Sequence, residues 1–184
     1  MKNQIKSIFQ VTSLVLFVLI FSYVLYIYDI ENILSSIGVT NPYYFIFVIA
    51  ALAGTSTFTS TSLYLTIIAL ASAQYNILLL GISGGVGLFI GDSFYYYLGL
   101  KFSEVNKIRK SRIYKFLRKI IYKTNTITLN LFVFLYASFS PIPNDILMFI
   151  LGSVKIKYLI FASSLLIGNI AFVFLVALLG NYFL

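Results

Sequence analysis

Only five side chains in this 184-residue sequence are acidic, at positions 29, 31, 92, 104 and 145, and it contains neither histidine nor cysteine. Ser-His-Asp and Cys-His nucleophilic catalysis are therefore excluded, as are the usual zinc sites and disulfides. The five acids form no cluster along the chain, so neither a metal nor another cofactor is expected. Two of them stand in apolar surroundings where charge is costly. Asp92 lies nine residues before Lys101, roughly 13 Å from the end of an apolar run at helical rise. Asp145 follows Pro141, Pro143 and Asn144 within SFSPIPNDILMFILG, residues 138–152. Each proline lacks a backbone donor and resists helix continuation. A broken polar stretch between apolar flanks is tolerated at membrane depth only where it is buried in protein or lines a wet cavity. An ionisable residue there marks a substrate path or a proton relay. Asp92, Asp145, Asn144, Pro141 and Pro143 are thus candidate substrate or proton-coupling residues. Two distant acids without a partner in sequence give little support to an enzyme, and none is expected.

The elements that must hold these residues are set by composition. The chain is 60% hydrophobic and 10% charged, with mean hydropathy +0.98, whereas soluble domains carry about 25% charged residues. This is an integral membrane protein by composition. Its net charge of +8 lies in one place: nine basic residues and one acid, Glu104, fall between Lys101 and Lys123. A basic loop between spans follows the positive-inside rule, and nucleic-acid binding is not expected.

Residues 8–28 form one apolar run, with Lys2 and Lys6 before it and Asp29 and Glu31 after it. The run is about span length and no small-residue cleavage site follows, so it reads as a signal anchor with its N-terminus in the cytoplasm. Asn41-Pro42 is expected to stop the connection 30–42 on the outside. Residues 43–53 are too short to span, and a tract of small hydroxylated residues runs from Gly54 to Ser62 before apolar sequence resumes. Hydroxyls such as those of Ser60 and Ser62 can satisfy freed backbone groups, so 43–75 reads as a hairpin of two half-helices. Residues 77–100 read as a full span, in which Gly81, Gly84, Gly85, Gly87, Gly91 and Gly99 allow another backbone to approach closely. Gly81-Ile-Ser83-Gly84-Gly85 matches a nucleophile elbow only in letters, since no strand precedes it and no histidine exists.

Residues 101–123 read as a basic cytoplasmic amphipathic helix. Ile113, Phe116, Leu117, Ile120 and Ile121 make its apolar stripe, and Arg109, Lys110, Arg112, Lys115, Arg118 and Lys119 are candidate contacts to anionic lipid. Lys123 precedes the Pro141 region, while Lys155 and Lys157 follow it. All three should lie inside, so 124–154 must enter the membrane and return on the same side. A final span covers 158–181.

Hairpin-then-span thus occurs twice, entering from opposite sides. Offset by 81, Ser60 falls on Pro141, Ser62 on Pro143 and Ala71 on Gly152. The expected fold is an all-α polytopic membrane protein: an inverted repeat of two re-entrant helical hairpins, each followed by a transmembrane helix, after an N-terminal transmembrane helix at 1–42. Facing discontinuous helices in the two halves point to a transporter binding site.

TSLYLTIIALAS, GGVGLFIGDSFYYYLG, SFSPIPNDILMFILGS and Ile167-Gly168-Asn169 together resemble the DedA family, also called VTT-domain or SNARE-associated Golgi proteins, over about 43–184. The resemblance implies two opposed re-entrant hairpins packed among transmembrane helices. It also implies movement of phospholipids or polyprenyl-phosphate lipids between leaflets by a flippase- or scramblase-like route, with proton coupling in bacterial members. A prokaryotic plasma membrane is the implied location, with membrane lipids as partners. The family often carries an arginine where this chain has Ser138, and an acid in the region where this chain has only the hydroxyls of 59–62. Two other readings stand beside lipid transport: a secondary transporter for a small solute or ion, and a non-catalytic membrane scaffold. Homodimerisation is an open alternative to internal use of the glycines.

Overall fold

A computed structural model describes residues 41–54, 60–104, 112–140 and 143–183, with nothing said of the side chains of 60–62, Ile113 and Phe183. The expected first span, Arg109, Lys110 and Pro141 lie outside the described residues. So do the side chains of Ser60 and Ser62. Every described element is helical: α1 (Pro42–Ala53), α2 (Ser60–Ser72), α3 (Ile77–Phe102), α4 (Arg112–Lys123), α5 (Thr126–Phe139), α6 (Asn144–Ser153), a 3-10 turn (Tyr158–Ile160) and α7 (Ala162–Phe183). Only α3 and α7 are long and apolar enough to cross a bilayer. At 12, 13, 14 and 10 residues, α1, α2, α5 and α6 fall short of the roughly 20 that a span requires.

Asparagine starts three of these helices. The side-chain oxygen of Asn41 accepts from the backbone N–H groups of Tyr43 (2.9 Å) and Tyr44 (3.3 Å). Asn76 does the same for Leu78 and Leu79, and Asn125 for Ile127. Each satisfies donors that the first helical turn leaves open, as an N-cap should. Asn41-Pro42, expected to end the preceding segment, therefore begins α1, because proline at the first helical position gives up a donor the helix does not need.

Two helix ends share one geometry. Gln74 (φ 64°) and Lys155 (φ 63°), the non-glycine residues with positive φ among those described, stand 81 positions apart at the ends of α2 and α6. Gln74 donates to the Ala71 carbonyl and Tyr75 to that of Leu70. Lys155 donates to Gly152 and Ile156 to Leu151. These are the paired bonds of a Schellman cap, closed in both cases without the glycine that usually provides it. Beyond each cap, the next helical stretch covers 77–102 in one case and, with one break at Phe161, 158–183 in the other.

The core has two lobes. One joins Ile46, Ile49 and Ala50 of α1 with Leu63 and Ile67 of α2, Leu80 of α3 and Val173 and Ala177 of α7. The other joins Tyr96 of α3 with Val133 of α5, Met148 and Leu151 of α6, Leu165 of α7 and Tyr114 of α4. Helix α3 packs on α1, α6 and α7, while α7 packs on α3, α5 and α2. Large apolar side chains also face outward, among them Leu78, Ile90, Leu131, Phe132, Ile146 and Leu179. Such a surface suits lipid as the solvent and would be a liability in water.

Helix α4 differs from the single apolar stripe expected of it. It begins at Arg112, and Lys101 and Phe102 complete α3. Tyr114, Leu117 and Ile121 meet the second lobe, whereas Phe116 and Ile120 are exposed. The stripe is wide enough to be divided between protein and surroundings.

Candidate functional site

Three polar side chains meet inside the bundle. The Asn169 amide donates to Asp92 Oδ2 at 2.8 Å. The Asn144 amide donates to the same oxygen at 3.2 Å and to Asn169 Oδ1 at 2.9 Å. Asp92 is 2% exposed and Asn169 is 0% exposed. They come from three elements: Asp92 from α3, Asn169 from α7, and Asn144 from the first residue of α6.

Small residues allow this convergence. A side chain at Gly85, two turns from Asp92 on the same face, would meet the Ile170 backbone at 2.5 Å, so α3 and α7 approach too closely for anything larger. A side chain at Gly91 would meet Gly54 Cα at 2.5 Å, which seats α3 against the end of α1. Gly168, beside Asn169, is similarly closed off by Ala137 and the Phe134 carbonyl of α5. On the third side, Pro143 holds extended backbone (φ −55°, ψ 137°) just before α6, which has no side-chain N-cap. Asn144 therefore starts the helix with its amide turned into the bundle. The Tyr136 hydroxyl donates to the Pro143 carbonyl at 3.4 Å, and Ser138 Oγ donates to the Gly168 carbonyl at 3.5 Å.

Asp145 lies in the first turn of α6, where exposed N–H groups and the helix dipole favour an anion. Its charge acts on Asp92, Tyr95 and Tyr136, so both candidate aspartates share one neighbourhood. Among the described residues the one ion pair is Lys101–Glu104 at 3.7 Å, exposed at the end of α3. Asp92 is thus held by neutral amides. A carboxylate so placed gains hydrogen bonds but no counter-charge, and a proton or a cation would relieve it. Amides can neither take nor give a proton at ordinary pH, so the trio offers no acid–base pair for hydrolysis. No three His, Cys, Asp or Glu side chains converge among the described residues.

The structure brings Asp92, Asn144 and Asp145 together, with Pro143 setting the turn. Arg112, Lys115, Arg118 and Lys119 lie apart from them on exposed positions of α4. Asn169 was not among the site residues expected from sequence. Its signal was present: it is the one amide or ionisable side chain in the apolar run 158–180, and a lone polar group at that depth needs a partner.

No curated protein and no solved structure matches the chain. A family model described as the VTT domain matches residues 63–182, which holds α2 through nearly all of α7 and every member of the buried trio. With its two bilayer-length helices, this is a membrane protein, and the chain belongs to the VTT-domain family, the domain of DedA and SNARE-associated Golgi proteins.

Proposed function

We propose that the chain moves lipid between leaflets in a flippase- or scramblase-like manner, with the Asp92–Asn144–Asn169 knot and neighbouring Asp145 at the working site. The observation that carries this reading is a fully buried carboxylate held only by amides, at the point where the start of a half-length helix meets two full-length ones. A membrane helix bundle with no use for that carboxylate would be better served by an apolar side chain.

The reading includes an inverted repeat of two re-entrant hairpins, α1–α2 and α5–α6, followed by α3 and α7. Several observations support it. The caps at Gln74 and Lys155 coincide at an offset of 81. A side chain at Gly99 would strike the Phe149 carbonyl of α6, and one at Gly180 would strike Ile68 of α2; both members of the first contact shift by 81 onto the second. The helix neighbours exchange in the same way, α3 with α1 and α6, α7 with α5 and α2. Under this pairing Asp92, Asn144 and Asn169 fall on Val173, Leu63 and Leu88, which pack in the first lobe. The polar site is thus built once, in the second half, and its counterpart is a dry plug.

The test is reconstitution with fluorescent-headgroup lipid, following loss of outer-leaflet signal to a reductant that cannot cross. Wild-type protein should accelerate headgroup movement, and Asp145→Asn and Asp92→Asn should each slow it at least about tenfold, the effect of about 1.4 kcal/mol. No acceleration by wild type, with Asp145→Asn its equal, overturns the reading. The closed, small character of the knot favours one alternative, transport of a small solute or ion coupled through the same acids. That alternative expects substrate-dependent change of internal pH in vesicles where lipid stays in place.

A further inference from the structure

Helix α4 carries Arg112, Lys115, Arg118, Lys119 and Lys123 and no acid. At 100° per residue these charges occupy one side of the helix. The other side is apolar and serves two purposes. Its inner edge, Tyr114, Leu117 and Ile121, docks on the second core lobe. Its outer edge is open: Phe116 is 63% exposed and Ile120 is 48% exposed. An apolar edge left open beside a continuous run of charge is the profile of a helix lying in a membrane interface, its apolar side sunk toward the acyl chains and its cations among headgroups.

The surrounding chain gives the same placement. Helix α4 joins the end of α3 to the start of α5, so it lies where bilayer-depth helices emerge. Buried in the same lobe as Tyr114 is Ile156, flanked by exposed Lys155 and Lys157 on the α6–α7 connection. Two segments distant in sequence therefore converge into one cationic surface around one apolar anchor. The Arg118 guanidinium lies over the Tyr122 ring at 5.3 Å, leaving its N–H edges directed outward as a fork suited to phosphate.

We propose that α4 and the Lys155–Lys157 turn form an in-plane docking surface for anionic phospholipid of the adjacent leaflet, with Phe116 and Ile120 as its acyl-chain anchor. The surface sits on the half of the molecule that holds Asn144 and Asp145, so it gathers anionic headgroups next to the second hairpin. The proposal does not require that lipid be moved between leaflets, and its test reads α4 alone.

The chain contains no tryptophan, so Phe116→Trp in the full-length protein is a fluorophore without background. Reconstituted in phosphatidylcholine vesicles with or without phosphatidylglycerol, it should emit to the blue of water-exposed tryptophan and be quenched by acyl chains brominated near the headgroup. Brominated phosphatidylglycerol should quench at least about twofold more effectively than brominated phosphatidylcholine, given the attraction of each basic residue to an anionic surface. In the Lys115→Gln, Arg118→Gln, Lys119→Gln background that preference should fall to parity, with helical content unchanged by circular dichroism. Water-like emission without quenching at Phe116→Trp overturns the proposal, and so does equal quenching by the two lipids in the unmodified background. Phe132→Trp, exposed on α5, separates the causes. Quenching there but not at Phe116→Trp means that α4 stands off the membrane, and quenching at neither means that the membrane placement itself fails.

Discussion

Asp92 accepts two hydrogen bonds on one oxygen, and the two donors are themselves linked. Such a network is cooperative in its failures: removing one member leaves buried polar groups without partners. Asn169→Leu should therefore cost about 1–3 kcal/mol of stability, read as a lowered unfolding midpoint in detergent. Asp92→Asn should cost less, because a neutral amide keeps hydrogen-bonding capacity and sheds an uncompensated charge. Combining Asn144→Ala with Asn169→Ala should fall short of the sum of the single effects, since both lose the same Asp92 oxygen as partner. The paired measurement separates structure from function. If Asp92→Asn folds as well as wild type yet fails to move lipid, the carboxylate is kept for work; if it transports normally, Asp92 is only a packing residue.

Element-level geometry was legible from the sequence to different depths. The break between α1 and α2 could be read because glycine followed by hydroxylated residues interrupts an apolar run, and the start of α6 because Pro143 cannot extend α5. Asn41-Pro42 was ambiguous for a physical reason: the same pair that ends one segment caps the next, and only the donors of Tyr43 and Tyr44 decide it. The ends of α2 and α6 were invisible, since left-handed backbone there falls on glutamine and lysine rather than glycine. An L-residue pays about 1–2 kcal/mol in that conformation. Gln74→Gly should therefore raise the midpoint of thermal unfolding, and Gln74→Val should lower it, because a branched side chain is least at ease there. In α4 the wheel was legible but not its division, because sequence cannot say which part of an apolar arc finds protein and which finds lipid.

At the scale of the molecule, the two halves are alike in frame and unlike in content. The frame repeats at 81 positions through caps, helix lengths and glycine contacts, yet the trio Asp92–Asn144–Asn169 is answered by Val173, Leu63 and Leu88. If one half opens where the other closes, the polar side should admit water in the present arrangement and the apolar side should exclude it. The sequence contains no cysteine, so single replacements report cleanly. Ser62→Cys and Pro143→Cys occupy matching positions at the start of α2 and just before α6. A membrane-impermeant maleimide applied from the side of the 101–123 segment should label Pro143→Cys and leave Ser62→Cys unmodified. Applied from the opposite side, it should reach Ser62→Cys more slowly, since Leu63 next to it is buried at 0% exposure. Labelling of both from one side would end the idea of opposed hairpins, because two tips entering from different faces cannot share a single aqueous approach.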